Sequence, residues 1–110
     1  MNYFKYFLNS LKDHFYLIWL NKYNINPQGA CPVQAWGTLP TGEYYYFRSR
    51  GTGWSVRLVK NEKDLYDVDT ASIFHYHENK YTWPDAGHLS DAEVIKYFNK
   101  AIEHYERSRT

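Results

Sequence analysis

Apolar residues recur at Phe4, Leu8, Leu11, Phe15 and Ile18, spacings of three and four that set them on one side of a helix over residues 3–23. A second stripe, Lys5, Asn9, Lys12, Tyr16, Trp19 and Tyr23, starts polar and ends aromatic. The turns from Phe15 to Leu20 are therefore apolar nearly all round, and are expected to meet either the core or a partner. Two prolines and a glycine in Asn24–Pro32 break the helix. Strand-like runs follow: Val33–Thr38, Glu43–Arg50, Gly53–Lys60, then Ser72–His77 continued by Lys80–Trp83. Pro40-Thr41-Gly42 and Gly51-Thr52-Gly53 are turn signals between them, and the acidic stretch Asn61–Thr70 reads as a loop. Ser90-Asp91-Ala92-Glu93 is a capping box opening a helix to about Arg107. Val94, Ile95, Phe98, Ala101, Ile102 and Tyr105 form its apolar stripe. The order predicts one α+β domain over residues 1–110: an N-terminal helix, an antiparallel meander of four or five strands, and a C-terminal helix.

The central hairpin is the most informative stretch. With Gly51-Thr52 as a two-residue loop, Tyr46 pairs with Arg57. Side chains alternate along a strand, so Tyr45, Phe47, Trp54, Val56 and Leu58 share one face. Tyr44, Tyr46, Arg48, Arg50, Ser55 and Arg57 share the other. A slip of one residue would mix the two sets, which is why the first face is assigned to the core. The second is the candidate binding surface. Arginines beside tyrosines grip phosphates while stacking on a ring, or hold an acidic protein surface. Tyr16, Trp19 and Tyr23 are a candidate secondary interface, through which a homodimer is also conceivable.

Composition sharpens this picture. Twelve tyrosines supply broad, fairly rigid contact area with a polar tip, which suits recognition. A formal net charge of +1 argues against a protein that coats nucleic acid generally, while leaving room for a local basic patch. The lone cysteine, Cys31, excludes an internal disulfide and multi-cysteine metal sites, as expected of a reducing, cytoplasmic setting. Charges interrupt the N-terminal apolar stretch, so no membrane span is expected, and Gln28-Gly29-Ala30-Cys31 lacks the aliphatic residue of a lipoprotein cleavage site.

Motifs for catalysis are missing. No Gly-rich phosphate loop, GxSxG elbow or HExxH occurs in the chain. His75 and His77 lie two apart in a predicted strand, so their rings share a side, and His88 or Asp85 is the nearest further ligand. The glycine and glutamate that flank such a pair in cupin-like barrels are absent, so these histidines are weak metal candidates only. A Cys31–His75 pair has no sequence feature that selects it. Trp83-Pro84-Asp85-Ala86-Gly87-His88 reads as an ordered turn into the last helix.

Residues 31–37 (Cys-Pro-Val-Gln-Ala-Trp-Gly), 45–51 (Tyr-Tyr-Phe-Arg-Ser-Arg-Gly) and Trp54-Ser55 resemble a loose set of small uncharacterised bacterial and phage proteins with a shared PVQA-x-G … YFR-x-R-x3-W-S core. The resemblance covers about a quarter of the chain and implies no activity, cofactor or site residue; it marks the hairpin as the signature element. The sequence thus points to a non-catalytic binding protein without cofactor, acting stoichiometrically through Tyr44, Tyr46, Arg48, Arg50 and Arg57, with a protein partner first. A phage or mobile-element inhibitor of a host defence protein fits this size and style. A nucleotide or oligonucleotide binder using the same face is the alternative, and a small metal-dependent enzyme centred on His75 and His77 the second alternative.

Overall fold

The computed structural model describes residues 19–66 and 72–109. Most of the helix expected over residues 3–23, Tyr16 included, lies outside them. Trp19 and Leu20 are helical, and the chain turns at Lys22 and Tyr23, short of the expected end. Asn21 explains the early stop: its amide oxygen accepts from the Ile25 N–H and its amide nitrogen donates to the Ile25 carbonyl, both at 2.9 Å. Both backbone groups of Ile25 are thereby satisfied by a side chain outside any helix.

Four strands follow as an antiparallel meander in the order β1 (Val33–Thr38), β2 (Tyr44–Arg50), β3 (Gly53–Val59) and β4 (Phe74–Asn79). The hairpin has the register read from sequence, with Tyr45 opposite Leu58, Tyr46 opposite Arg57 and Phe47 opposite Val56. Gly51, at φ +67°, makes the tight turn between β2 and β3. One expectation is corrected at β4. It runs as a single strand to Asn79, and Lys80–Trp83 is not a strand. The chain turns there because the Tyr81 N–H bonds the Thr52 carbonyl (2.9 Å), tying this segment to the end of the hairpin. Within the expected loop after β3, Glu62–Tyr66 forms a short 3-10 turn.

The C-terminal helix α1 (Asp91–Ser108) starts at its capping box: the Ser90 hydroxyl accepts from the Glu93 N–H (3.2 Å) and Glu93 Oε1 accepts from the Ser90 N–H (3.0 Å). Its stripe Val94, Ile95, Phe98, Ala101, Ile102 and Tyr105 is buried. It lies on the sheet face formed by Tyr45, Phe47, Trp54, Val56 and Leu58, all at most 3% exposed. Phe98 meets Tyr45 edge-on with ring centroids 4.7 Å apart, and Tyr97 stacks on Trp54 at 4.9 Å. Because α1 takes the apolar face, the opposite face of the sheet has no helix packed along it among the described residues. Among the described residues no helix is long and apolar enough to cross a membrane.

Candidate functional site

The two outer strands, paired in register with the hairpin, extend its Tyr/Arg face in both directions. Trp36 (β1) stands opposite Tyr46, Tyr46 opposite Arg57, and Arg57 opposite His75 (β4). The next row along the strands runs Gln34, Arg48, Ser55 and His77. A third ends at Arg50, Gly53 and Asn79. His75 and His77, which the sequence suggested only as metal candidates, therefore belong to the same surface as the arginines. Their rings tilt toward each other at 5.5 Å between centroids. Aromatic groups gather over β1 and β2, cationic ones over the ends of β2 to β4.

The outward positions of the four strands carry three arginines, two histidines, two tyrosines and a tryptophan, and no carboxylate. The whole chain is balanced at +1, so the outward strand positions are more basic than the chain as a whole. Its electrostatics show at His75, which is held below the usual imidazole value by burial first and then by the neighbouring His77 and Arg57 charges. The one carboxylate within the strands, Glu78 on the opposite face of β4, takes Lys100 and Lys80, and is lowered by its hydrogen bonds from Lys100 and Tyr76.

The arginines are not equivalent. Arg57 is half-buried and its guanidinium donates to the Asp64 carbonyl, which pins the 3-10 turn over that end of the sheet. Arg48 and Arg50 are exposed, and among the described residues neither has a hydrogen-bond or salt-bridge partner. Tyr46 is half-buried and its hydroxyl donates to Gln34 Oε1 across the β1–β2 pair, which fixes its ring on the sheet. Arg48 and Arg50 form one wall of a shallow basin of about 450 Å³, whose floor is Gly53 and Ser55 and whose other wall is His75, His77 and Asn79. Trp83, 73% exposed, stands at its rim, against Gly51 of the turn. The ordered turn expected around Trp83 is thus the element that finishes the basin. Its backbone is held there by the Ala86 N–H on the Gly51 carbonyl (3.1 Å).

The remaining candidates are placed elsewhere. Trp19 is 77% exposed, while Tyr23 leans on Phe98 (centroids 5.6 Å) and its hydroxyl donates to Glu106. That hydroxyl is pushed up to about 12 by burial and by Glu106. Tyr23 is thus committed to α1. A larger depression of about 540 Å³ lies between Trp19, Leu20 and the Lys96–Glu103 side of α1, with charges of both signs on its wall. His88 sits in a 3-10 turn (Asp85–His88) and its Nε2 lies 3.3 Å from the Cys31 sulfur. Cys31 is brought there by its own N–H bonding the Gly87 carbonyl at 2.8 Å. The pairing of Cys31 is therefore with His88, not His75. Among the described residues no three His, Cys, Asp or Glu side chains converge as metal ligands. Compared with protein-family models, curated proteins and solved structures, the chain matches none.

Proposed function

We propose that this protein acts by binding rather than catalysis, and that it seats an acidic stretch of another protein on the outward face of its sheet. The observation that carries the reading is charge: every ionisable side chain at the outward strand positions is basic or phenolic, in a chain whose total charge is nearly balanced. Arg48 and Arg50 are desolvated little in the free protein, so forming charge-assisted bonds there costs no broken partner. Trp36, at 46% exposure, and Tyr46 add the aromatic area typical of interface hot spots. Such a protein works by occupancy, as an inhibitor does, and the phage-encoded form of that role rests on the chain's small size alone.

The test is charge reversal. Arg48→Glu combined with Arg50→Glu changes exposed residues, so the circular-dichroism spectrum should stay as in the parent protein. Partner capture from host lysate should be lost, and Lys96→Glu, on the exposed side of α1, should leave it intact. Capture by the double variant at the parental level sinks the reading. A nucleic-acid reading is favoured by one observation, the adjacency of Trp36 and Tyr46 to the arginines, because bases stack on such rings. Fluorescence anisotropy with a mixed-sequence single-stranded oligonucleotide decides it: saturable, salt-sensitive binding lost in the double variant would replace the protein partner with a nucleic acid.

A further inference from the structure

The basin at the hairpin end of this face has a more particular shape than a positive patch. Gly53 lies between Arg50 and Asn79 in the register, and the Asn79 side chain closes over it: a Cβ on Gly53 would collide with that side chain and with the Glu78 carbonyl. The basin therefore opens beside Asn79, over Ser55 and between the Arg48–Arg50 and His75–His77 sides. Neighbouring strands lie about 4.8 Å apart, so the β2 and β4 backbones flank the basin at roughly 10 Å. That span admits one tetrahedral anion with a shell of donors at about 2.8 Å on each side. Donors surround it on three sides: the Arg48 and Arg50 guanidinia, the Ser55 hydroxyl on the floor, and His77 and Asn79.

We propose that this basin is a receptor site for a phosphate monoester, carried by a phosphorylated side chain of the partner protein. The inference rests on the reading of the outward face as the binding face. Three features favour a monoester over its rivals. Two permanent guanidinium charges match a group of charge about −2, whereas a carboxylate would leave one arginine uncompensated. The arginines converge at one end of the sheet, where Trp83 closes the rim, instead of tracking along it as a phosphodiester chain requires. Trp83 presents an exposed ring beside the anion, so a phosphotyrosyl ring has a surface to stack on.

Calorimetric titration of the full chain with short peptides tests this. A phosphotyrosyl peptide should bind saturably, a phosphoseryl peptide more weakly, and the unphosphorylated tyrosyl peptide not measurably. Arg48→Ala with Arg50→Ala should weaken phosphotyrosyl binding at least tenfold. Arg48→Lys with Arg50→Lys, which keeps the charge and loses the fork, should fall between. Trp83→Ala should lower the affinity for phosphotyrosyl and leave that for phosphoseryl unchanged. Equal binding of a glutamyl peptide, or unchanged affinity in both arginine variants, overturns the proposal. Tighter binding of adenosine 5′-monophosphate than of either peptide overturns its protein source and assigns the basin to a mononucleotide. If no phosphate ligand binds while Arg48→Glu with Arg50→Glu still abolishes partner capture, the phosphate site fails and the acidic-partner reading stands. If that capture also survives, both fail.

Discussion

Gly53→Ala is the most direct test of how this sheet is built. The glycine opens β3 and faces Asn79 at the end of β4. An added methyl would stand inside 3.0 Å of two groups of different kinds: the Asn79 side chain, which can swing away, and the Glu78 carbonyl, which belongs to the backbone of the adjoining strand. Relief from the second requires β3 and β4 to part. Overpacking of this kind costs about 2–3 kcal/mol. At about 4 °C per kcal/mol for a domain near this size, Tm should fall by roughly 8–12 °C. Asn79→Ala alone touches an exposed residue and should stay within about 0.5 kcal/mol of the parent. Added to Gly53→Ala, it should recover only the portion due to Asn79, leaving more than about 1 kcal/mol. Gly42→Ala supplies the contrast, because nothing lies within 4 Å of its added carbon and only its φ of +105° opposes an L residue. Its cost is about 1 kcal/mol, from backbone strain alone. Urea unfolding followed by circular dichroism measures all four variants. Gly53→Ala within about 0.5 kcal/mol of the parent, or full recovery on adding Asn79→Ala, would refute the close approach of the two strands.

Two further outcomes follow from named contacts. Ser90→Ala removes the acceptor for the Glu93 N–H and loosens the reciprocal bond, so stability should drop by about 1 kcal/mol, with amide exchange accelerated in the first turn of α1; an unchanged exchange rate at Glu93 would count against the capping box. Alkaline titration tests the phenols: Tyr23, Tyr45, Tyr76, Tyr81 and Tyr105 are all raised in the folded protein, Tyr76 first by its hydrogen bond to Glu78 and the other four first by burial. The folded state then holds more protons than the unfolded one above about pH 10, so stability should decline as pH rises from there. Tyr23→Phe should flatten that decline between about pH 10 and pH 12, and an identical slope in the variant would show that burial and Glu106 do not raise the Tyr23 phenol.

The parts of the fold that the sequence disclosed are those with one dry face. Tyr45, Phe47, Trp54, Val56 and Leu58 alternate with polar residues, and a two-residue turn leaves their pairing no freedom, so the register of β2 and β3 is readable. The same holds for α1, whose stripe and capping box agree. β4 is harder, because its inward set of Phe74, Tyr76 and Glu78 ends on a carboxylate and its register depends on the long connection from β3, not on a tight turn. Hence the opposition of His75 to Arg57 and His77 to Ser55 needed the structure, and with it the extension of the arginine face by two imidazoles. The stretch from Trp83 was recognisable as an ordered turn, but Trp83 not as the rim of a basin, since its contact with Gly51 is made across the fold. Cys31 and His88 are likewise far apart in the chain and meet through a backbone bond to Gly87 that no local pattern announces.

The separation of charge between the two sides of the domain has a kinetic meaning. Among the described residues the exposed side of α1 mixes Lys96, Lys100, Glu103 and Glu106, while the ionisable groups at the outward strand positions are all basic or phenolic. For the anionic partner proposed above, such a surface would favour approach toward the sheet before contact, over a range of about 10 Å at 0.1 M salt. On that proposal, raising ionic strength should slow formation of the complex much more than it hastens its dissociation.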